Sequence, residues 1–199
     1  MSRTLSTQLQ SLHSLCWVAF MAALIATGAF LHLQIGPVPI SFQDMFIVLA
    51  GLALGPKHGL FAMALYVLAG CAGLPVFSGG RAGLGHAIGP TGGYLFGFFF
   101  LVWFAGMGGR AALAFMRRRS AQGAAAPGLS ALAVALLWML PGYVFVFSFG
   151  PAWLAFTMKL SLGQTLALGL VPFLPLTPLK MALCLVLWRT LVSRGLLPQ

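Results

Sequence analysis

The sequence predicts an all-α membrane protein, a bundle of six transmembrane helices, and three observations lead there. The 199 residues are 60% hydrophobic, with a mean hydropathy of +1.00. Only 6% are charged, and Asp44 is the one acidic side chain. Apolar runs recur along the chain, parted by glycine and proline clusters. A spanning helix needs about 20 mostly apolar residues. Backbone in hydrocarbon must satisfy its own hydrogen bonds, which favours helices over an open sheet. Residues 1–199 are expected to form a single integral membrane domain.

The spans are expected at about 14–33, 42–54, 60–73, 89–115, 129–149 and 171–191. The first has an apolar core, 15–33, longer than the roughly 7–15 residues of a secretory signal, so it reads as a retained span. Gly36-Pro-Val-Pro39 separates it from a second, unusually short span. Gly55-Pro-Lys-His-Gly59 makes the next turn. A polar, glycine-packed loop over 73–98 then interrupts the apolar pattern, and Gly89-Pro-Thr reads as a turn leading into the fourth helix. Residues 117–128 are the one linker-like stretch. An amphipathic segment over 152–168 carries Lys159, and the sixth span begins near Pro172-Phe-Leu-Pro175.

Basic residues orient these spans. With the N-terminus in the cytoplasm, the inner side receives Arg3, Lys57, Arg110, Arg117, Arg118, Arg119, Arg189 and Arg194 of the 11 Lys and Arg. The positive-inside rule therefore puts both termini in the cytoplasm of a multi-pass cell-membrane protein. The formal charge of +10 resides in short loops beside apolar runs, which argues against nucleic acid as a partner and for the lipid bilayer. Arg81, Lys159 and Lys180 break the rule, and a cation on the wrong side is a candidate to serve a ligand. Lys180, set within the sixth span, is the sharpest of the three. Asp44 lies near the outer end of the short second span, a general pointer to a binding site. Its carboxylate would want Lys180 or Arg81 as a partner, in a structural or a ligand-binding role.

Catalytic patterns are missing. Hydrolysis usually needs a nucleophile, a base and an orienting group. The chain has four histidines and one carboxylate, with no HExxH, no GxSxG and no Walker ending on its glycine run. Cys16, Cys71 and Cys184 sit in apolar runs without metal-ligand spacing. Haem or metal ligation by His32 and His86 is an alternative reading, as is a purely structural membrane subunit. The balance favours binding or permeation over an enzyme, with no cofactor and no metal. The N–H groups at the start of the fourth helix, with Gly92, Gly93 and Tyr94, could meet a polar ligand group.

Gly73-Leu-Pro-Val-Phe77, Gly89-Pro-Thr-Gly-Gly-Tyr94, Gly36-Pro-Val-Pro39 before Phe42-Gln43, and Pro172-Phe-Leu-Pro175 ahead of Lys180 together resemble BioY, the biotin-binding S component of energy-coupling factor (ECF) transporters. The resemblance runs in order from about residue 15 to residue 190. It implies a biotin site near the outer face, capped by the loop after the first helix and lined by helices four to six. It also implies an ECF module as partner, made of one coupling membrane protein and two ATPases. Small residues of the first helix dock that module in the family, and Ala19, Ala22, Ala23 and Ala26 occupy the matching positions. A solitary permease or homo-oligomer is the alternative arrangement. Lys180 and Arg81 are the implied cations for the valerate carboxylate, or Lys180 for the ureido oxygen. Gln43, Thr177 and Tyr94 are implied polar contacts, with Val38, Phe77 and Trp153 as walls. The family's usual Pro-Gly-Asp-x-x-Lys is here Pro175-Leu-Thr-Pro-Leu-Lys180, with Thr177 in the acidic position. Asp44 is expected to replace that acid from the facing helix, and the departure leaves room for a biotin precursor or another small vitamin.

Overall fold

The computed structural model describes residues 2–34, 38–121 and 128–197, with side chains from residue 12 onward apart from that of residue 128. Among them are seven helices: α1 (Ser2–Phe30), α2 (Gln43–Cys71), α3 (Leu84–Ala87), α4 (Gly92–Ala121), α5 (Gly128–Met158), α6 (Leu162–Gly169) and α7 (Leu176–Ser193). Five of these are long and apolar enough to cross a membrane, α3 and α6 being the short ones. Between α1 and α2 a two-residue hairpin pairs β1 (His32–Leu33) antiparallel with β2 (Ile40–Ser41). Of the expected loop 36–39, residues 36 and 37 lie outside the described residues.

The second and third expected spans both fall within α2, which is two helical segments joined at a break at Gly55, where φ is 75° and ψ is 177°. That backbone conformation is essentially open to glycine alone. The helix turns back on itself there. A methyl built on Gly59 would lie 3.2 Å from the Gly51 Cα, whereas eight residues of straight helix would separate the two by about 12 Å. The Tyr66 side chain likewise comes up to Gln43. So the turn read from Gly55-Pro-Lys-His-Gly59 is present, as a corner rather than a loop. Pro56 has no N–H for the Leu52 carbonyl four residues earlier. Trp188 Nε1 of α7 donates to that oxygen at 3.0 Å, fully buried.

Helix α4 packs between α2 and α5, while α1 lies on α2 and α7 touches both α2 and α5. Small residues let these backbones approach, as apolar helices in lipid require. A methyl on Gly51 would meet Ala105 Cβ at 2.9 Å, and one on Gly97 would meet Val146 Cα at 2.7 Å. The later boundaries differ from expectation. Helix α5 continues through Pro151 to Met158, and the amphipathic segment splits there, because Ser161 and Gln164 form a reciprocal cap that starts α6. Residues 171–175 are turns, and α7 starts only after Pro175. One end of the bundle thus gathers the β-hairpin, the loop 72–91, α6 and the start of α7, with the Gly55 corner at the other.

Candidate binding site

The first turn of α2 carries Asp44, and α7 brings Lys180 against it. Lys180 Nζ donates to Asp44 Oδ1 at 2.8 Å and to the Ser41 carbonyl oxygen at 2.7 Å. The two side chains are only 4% and 12% exposed, so this is a buried ion pair. Tyr143 of α5 donates its hydroxyl to Asp44 Oδ2 at 3.3 Å. The ammonium also stands 5.7 Å from the centre of the Phe42 ring, near enough for a cation–π attraction. Asp44 gains further from its place at a helix N-terminus, where the macrodipole favours negative charge.

Beyond the pair opens a cavity of about 60 Å³. Val38, Pro39 and Ser41 close one side of it, Gln43, Asp44 and Lys180 form its polar end, and Tyr94, Leu95, Phe98, Tyr143, Val146, Phe147 and Phe173 supply apolar and aromatic walls. Ser78, His86 and Thr91 reach it from the loop before α4. Two buried polar atoms here, Gln43 Nε2 and Thr91 Oγ1, have no hydrogen-bond partner among the described residues. Buried polar groups are normally paired, so Thr91 Oγ1 is a free handle for a polar ligand, while the Gln43 amide also has the buried Tyr66 hydroxyl near it. Thr91 stands directly before α4, where a hydroxyl usually caps the helix, yet its oxygen is left for the cavity.

The structure therefore brings five of the sequence-derived site residues to one cavity: Val38, Gln43, Asp44, Tyr94 and Lys180. It sets the others elsewhere. The Thr177 hydroxyl donates back to the Phe173 carbonyl at 2.8 Å. Phe77 is buried against Gly70 and the Tyr66 ring, beneath the loop rather than in the cavity wall. Trp153 holds the Gly89 carbonyl through its Nε1 at 2.9 Å and faces a lateral apolar groove with Gly92 and Gly93. Their close packing against α5 explains those glycines. Arg81 is exposed and lies outside the lining. Tyr94 contributes its ring, since its hydroxyl donates to the Gly169 carbonyl at 2.6 Å. On α1, Ala19 and Ala23 are exposed, Ala26 is half-buried and Ala22 is turned into the core. Sequence reasoning missed Tyr143 and Thr91, and gave His86 only as a candidate haem or metal ligand. Tyr143 is one hydroxyl beside those of Ser130 and Ser148 in a mostly apolar span, which does not single it out.

Comparison with known proteins points the same way. The biotin transporter BioY of Lactococcus lactis is 33% identical over 192 residues, which cover 95% of each chain. The biotin transporter BioY of Thermotoga maritima is 50% identical over 76 residues, 38% of this chain and 45% of that protein. Against that protein and a relative from Pyrococcus horikoshii, the matched part spans about half the relative's length, 45% and 56%. A crystal structure of the S component for biotin from an ECF-type ABC transporter superposes with a TM-score of 0.73 at 33% identity, covering 92% of this chain and 93% of that one. A sequence model of the BioY family matches residues 1–195. The chain belongs to the BioY family.

Proposed function

We propose that this multi-pass membrane protein captures biotin at its outer face for uptake, and is a transport subunit rather than an enzyme. The observation that carries the reading is the buried Lys180–Asp44 pair with Tyr143, set at the polar end of an apolar, aromatic cavity in a chain of this family. Such a pair presents a donor and an acceptor side by side while its net charge is zero. That suits a neutral ureido head, which offers two N–H donors and one carbonyl. It suits a carboxylate less, because Asp44 already neutralises Lys180. The head therefore goes to the buried pair, with Gln43 and Thr91 completing its hydrogen bonds, and the ring system lies against Tyr94, Phe98 and Phe173. The valerate tail points toward the exposed loop. The cavity is small beside the roughly 300–1,000 Å³ of sites for drug-sized ligands, so seating biotin requires the lining to part, and the Lys180 bond to Ser41 is the contact that ties the hairpin side to α7.

Both termini face the cytoplasm in this reading, and residues 1–199 act as one membrane domain. An ECF module of coupling protein and two ATPases supplies the energy, and it docks on the exposed Ala19 and Ala23 face of α1. Titration of detergent-purified protein with biotin by calorimetry, beside Lys180→Ala, tests the core of the proposal. Submicromolar binding that is lost in the variant is the expected result, and a folded wild-type protein that ignores biotin refutes it. A biotin precursor or another small vitamin is the second reading, favoured by Thr177 in the family's acidic position with its hydroxyl turned away to Phe173. Competition between labelled biotin and the precursor separates the two.

A further inference from the structure

The cavity holds one acid and one strongly basic group, Asp44 and Lys180, and they neutralise each other at 2.8 Å. A ligand carboxylate must find its cation elsewhere. Following the lining outward, the next nitrogen base is His86 of α3, half-buried, its ring 5.2 Å from that of Phe77 and tilted by 35°. The loop that carries it is pinned, because Phe77 N–H donates to the Arg81 carbonyl at 3.0 Å and Gly83 N–H to that of Gly70 at 2.8 Å. Phe77 is itself 1% exposed. His86 is thus a positioned side chain, not one on a free loop. Resting on the biotin reading, we propose that His86, with Arg81 beside it, receives the carboxylate tail of the ligand and takes up a proton as it does so, making capture stronger in mildly acid surroundings.

The groups that act on His86 support this. Burial, and then the nearby Arg81 guanidinium, hold its pKa below the usual imidazole value of 6.5. Across the cavity stand the neutral pair Asp44 and Lys180 and the hydroxyls of Tyr94 and Tyr143. The β1 residue His32 borders the same loop, its Nε2 3.9 Å from a methyl built on Gly79. No carboxylate of the chain is left to charge His86, since Asp44 is the only one among its side chains. An arriving carboxylate favours the imidazolium and raises the pKa. The sign follows. Affinity is greatest below the free pKa, falls as pH climbs between the free and bound values, and is flat above the bound one. A side-chain-like carboxyl with a pKa of about 4.3 stays ionised throughout that window.

The experiment is biotin calorimetry between pH 5.5 and 8.5 in two buffers of different ionisation enthalpy, repeated with biotin amide, whose tail is neutral. Wild-type protein should bind biotin about tenfold tighter at pH 6 than at pH 8 with net proton uptake. His86→Gln should bind with a flat profile and no uptake, and Arg81→Gln should bind more weakly yet keep the slope. Biotin amide should give a flat profile on wild type. A slope that survives in His86→Gln, or that biotin amide reproduces, overturns the proposal, as does pH-independent binding to wild type. If folded wild-type protein binds no biotin at any pH, the functional reading falls and this one with it. His86→Asn serves as a second variant should His86→Gln fold poorly.

Discussion

Replacing Asp44 by Asn removes one charge from a buried pair and keeps the shape. The Lys180 ammonium then keeps the Ser41 carbonyl at 2.7 Å, the Phe42 ring face and a neutral amide oxygen, with no charge to compensate its own. Breaking one half of a buried ion pair costs about 3–5 kcal/mol, and 1 kcal/mol corresponds to about 2–4 °C in a protein of this size. Thermal unfolding in detergent should therefore drop by about 10 °C in Asp44→Asn. Biotin affinity should fall about 10- to 150-fold, the value of one hydrogen bond to a charged group. The double variant Asp44→Asn with Lys180→Met discharges both positions. It should regain most of the stability, since neutralising both partners is often nearly neutral, and none of the affinity. Calorimetry and a melting curve on four proteins read the whole cycle. If Asp44→Asn matches wild type in both while Lys180→Met abolishes binding, then Asp44 neither neutralises Lys180 nor contacts the head, and the charge argument for the site is wrong.

Three further outcomes follow from the packing. A methyl at Gly150 runs into the Tyr94 ring, which walls the cavity, whereas one at Gly163 meets nothing within 4 Å. Gly150→Ala should weaken biotin binding about 5- to 150-fold by calorimetry, an overpacking cost of about 1–3 kcal/mol, and Gly163→Ala should leave it unchanged. Gly55→Ala forces a side chain into the Gly-only backbone at the α2 corner and should cost about 1–3 kcal/mol in unfolding assays, with affinity per folded molecule preserved because the corner is remote from the cavity. Ala19→Leu with Ala23→Leu should keep biotin affinity in detergent and lose co-purification with an ECF module.

What could be read in advance divides along a physical line. Apolar runs report only that a segment prefers lipid, so the spans were legible while their ends were not. Helix α5 overran its expected end by passing through Pro151, and α2 reads as one long helix although it folds at Gly55. The corner itself was visible in Gly55-Pro56, because those residues constrain dihedral angles locally. Within the site, the charged members announced themselves. A lone acid and a misplaced lysine are expensive in hydrocarbon and imply each other. Thr177 entered the site list through the family resemblance, at the acidic position, but a threonine hydroxyl can donate back to the carbonyl four residues earlier in its own chain, and here it does so to Phe173. Tyr143 and Thr91 needed the fold, since a hydroxyl in an apolar run carries no signal of which neighbour it will face.

Helix α7 meets the end of β2 and α2 through Lys180, Cys184 and Trp188, four residues apart on one stripe, which donate to the Ser41, Met45 and Leu52 carbonyls. Lipid chains and leucines are alike in polarity, so greasy contacts let a helix slide or spin against its neighbour at little cost. Three polar teeth on one line remove that freedom. Advancing α7 by a single residue rotates it by about 100° and disengages all three together. The helix is thereby indexed to one setting, and the lysine at the polar end of the cavity is held at a fixed depth by a cysteine and a tryptophan that lie outside the lining.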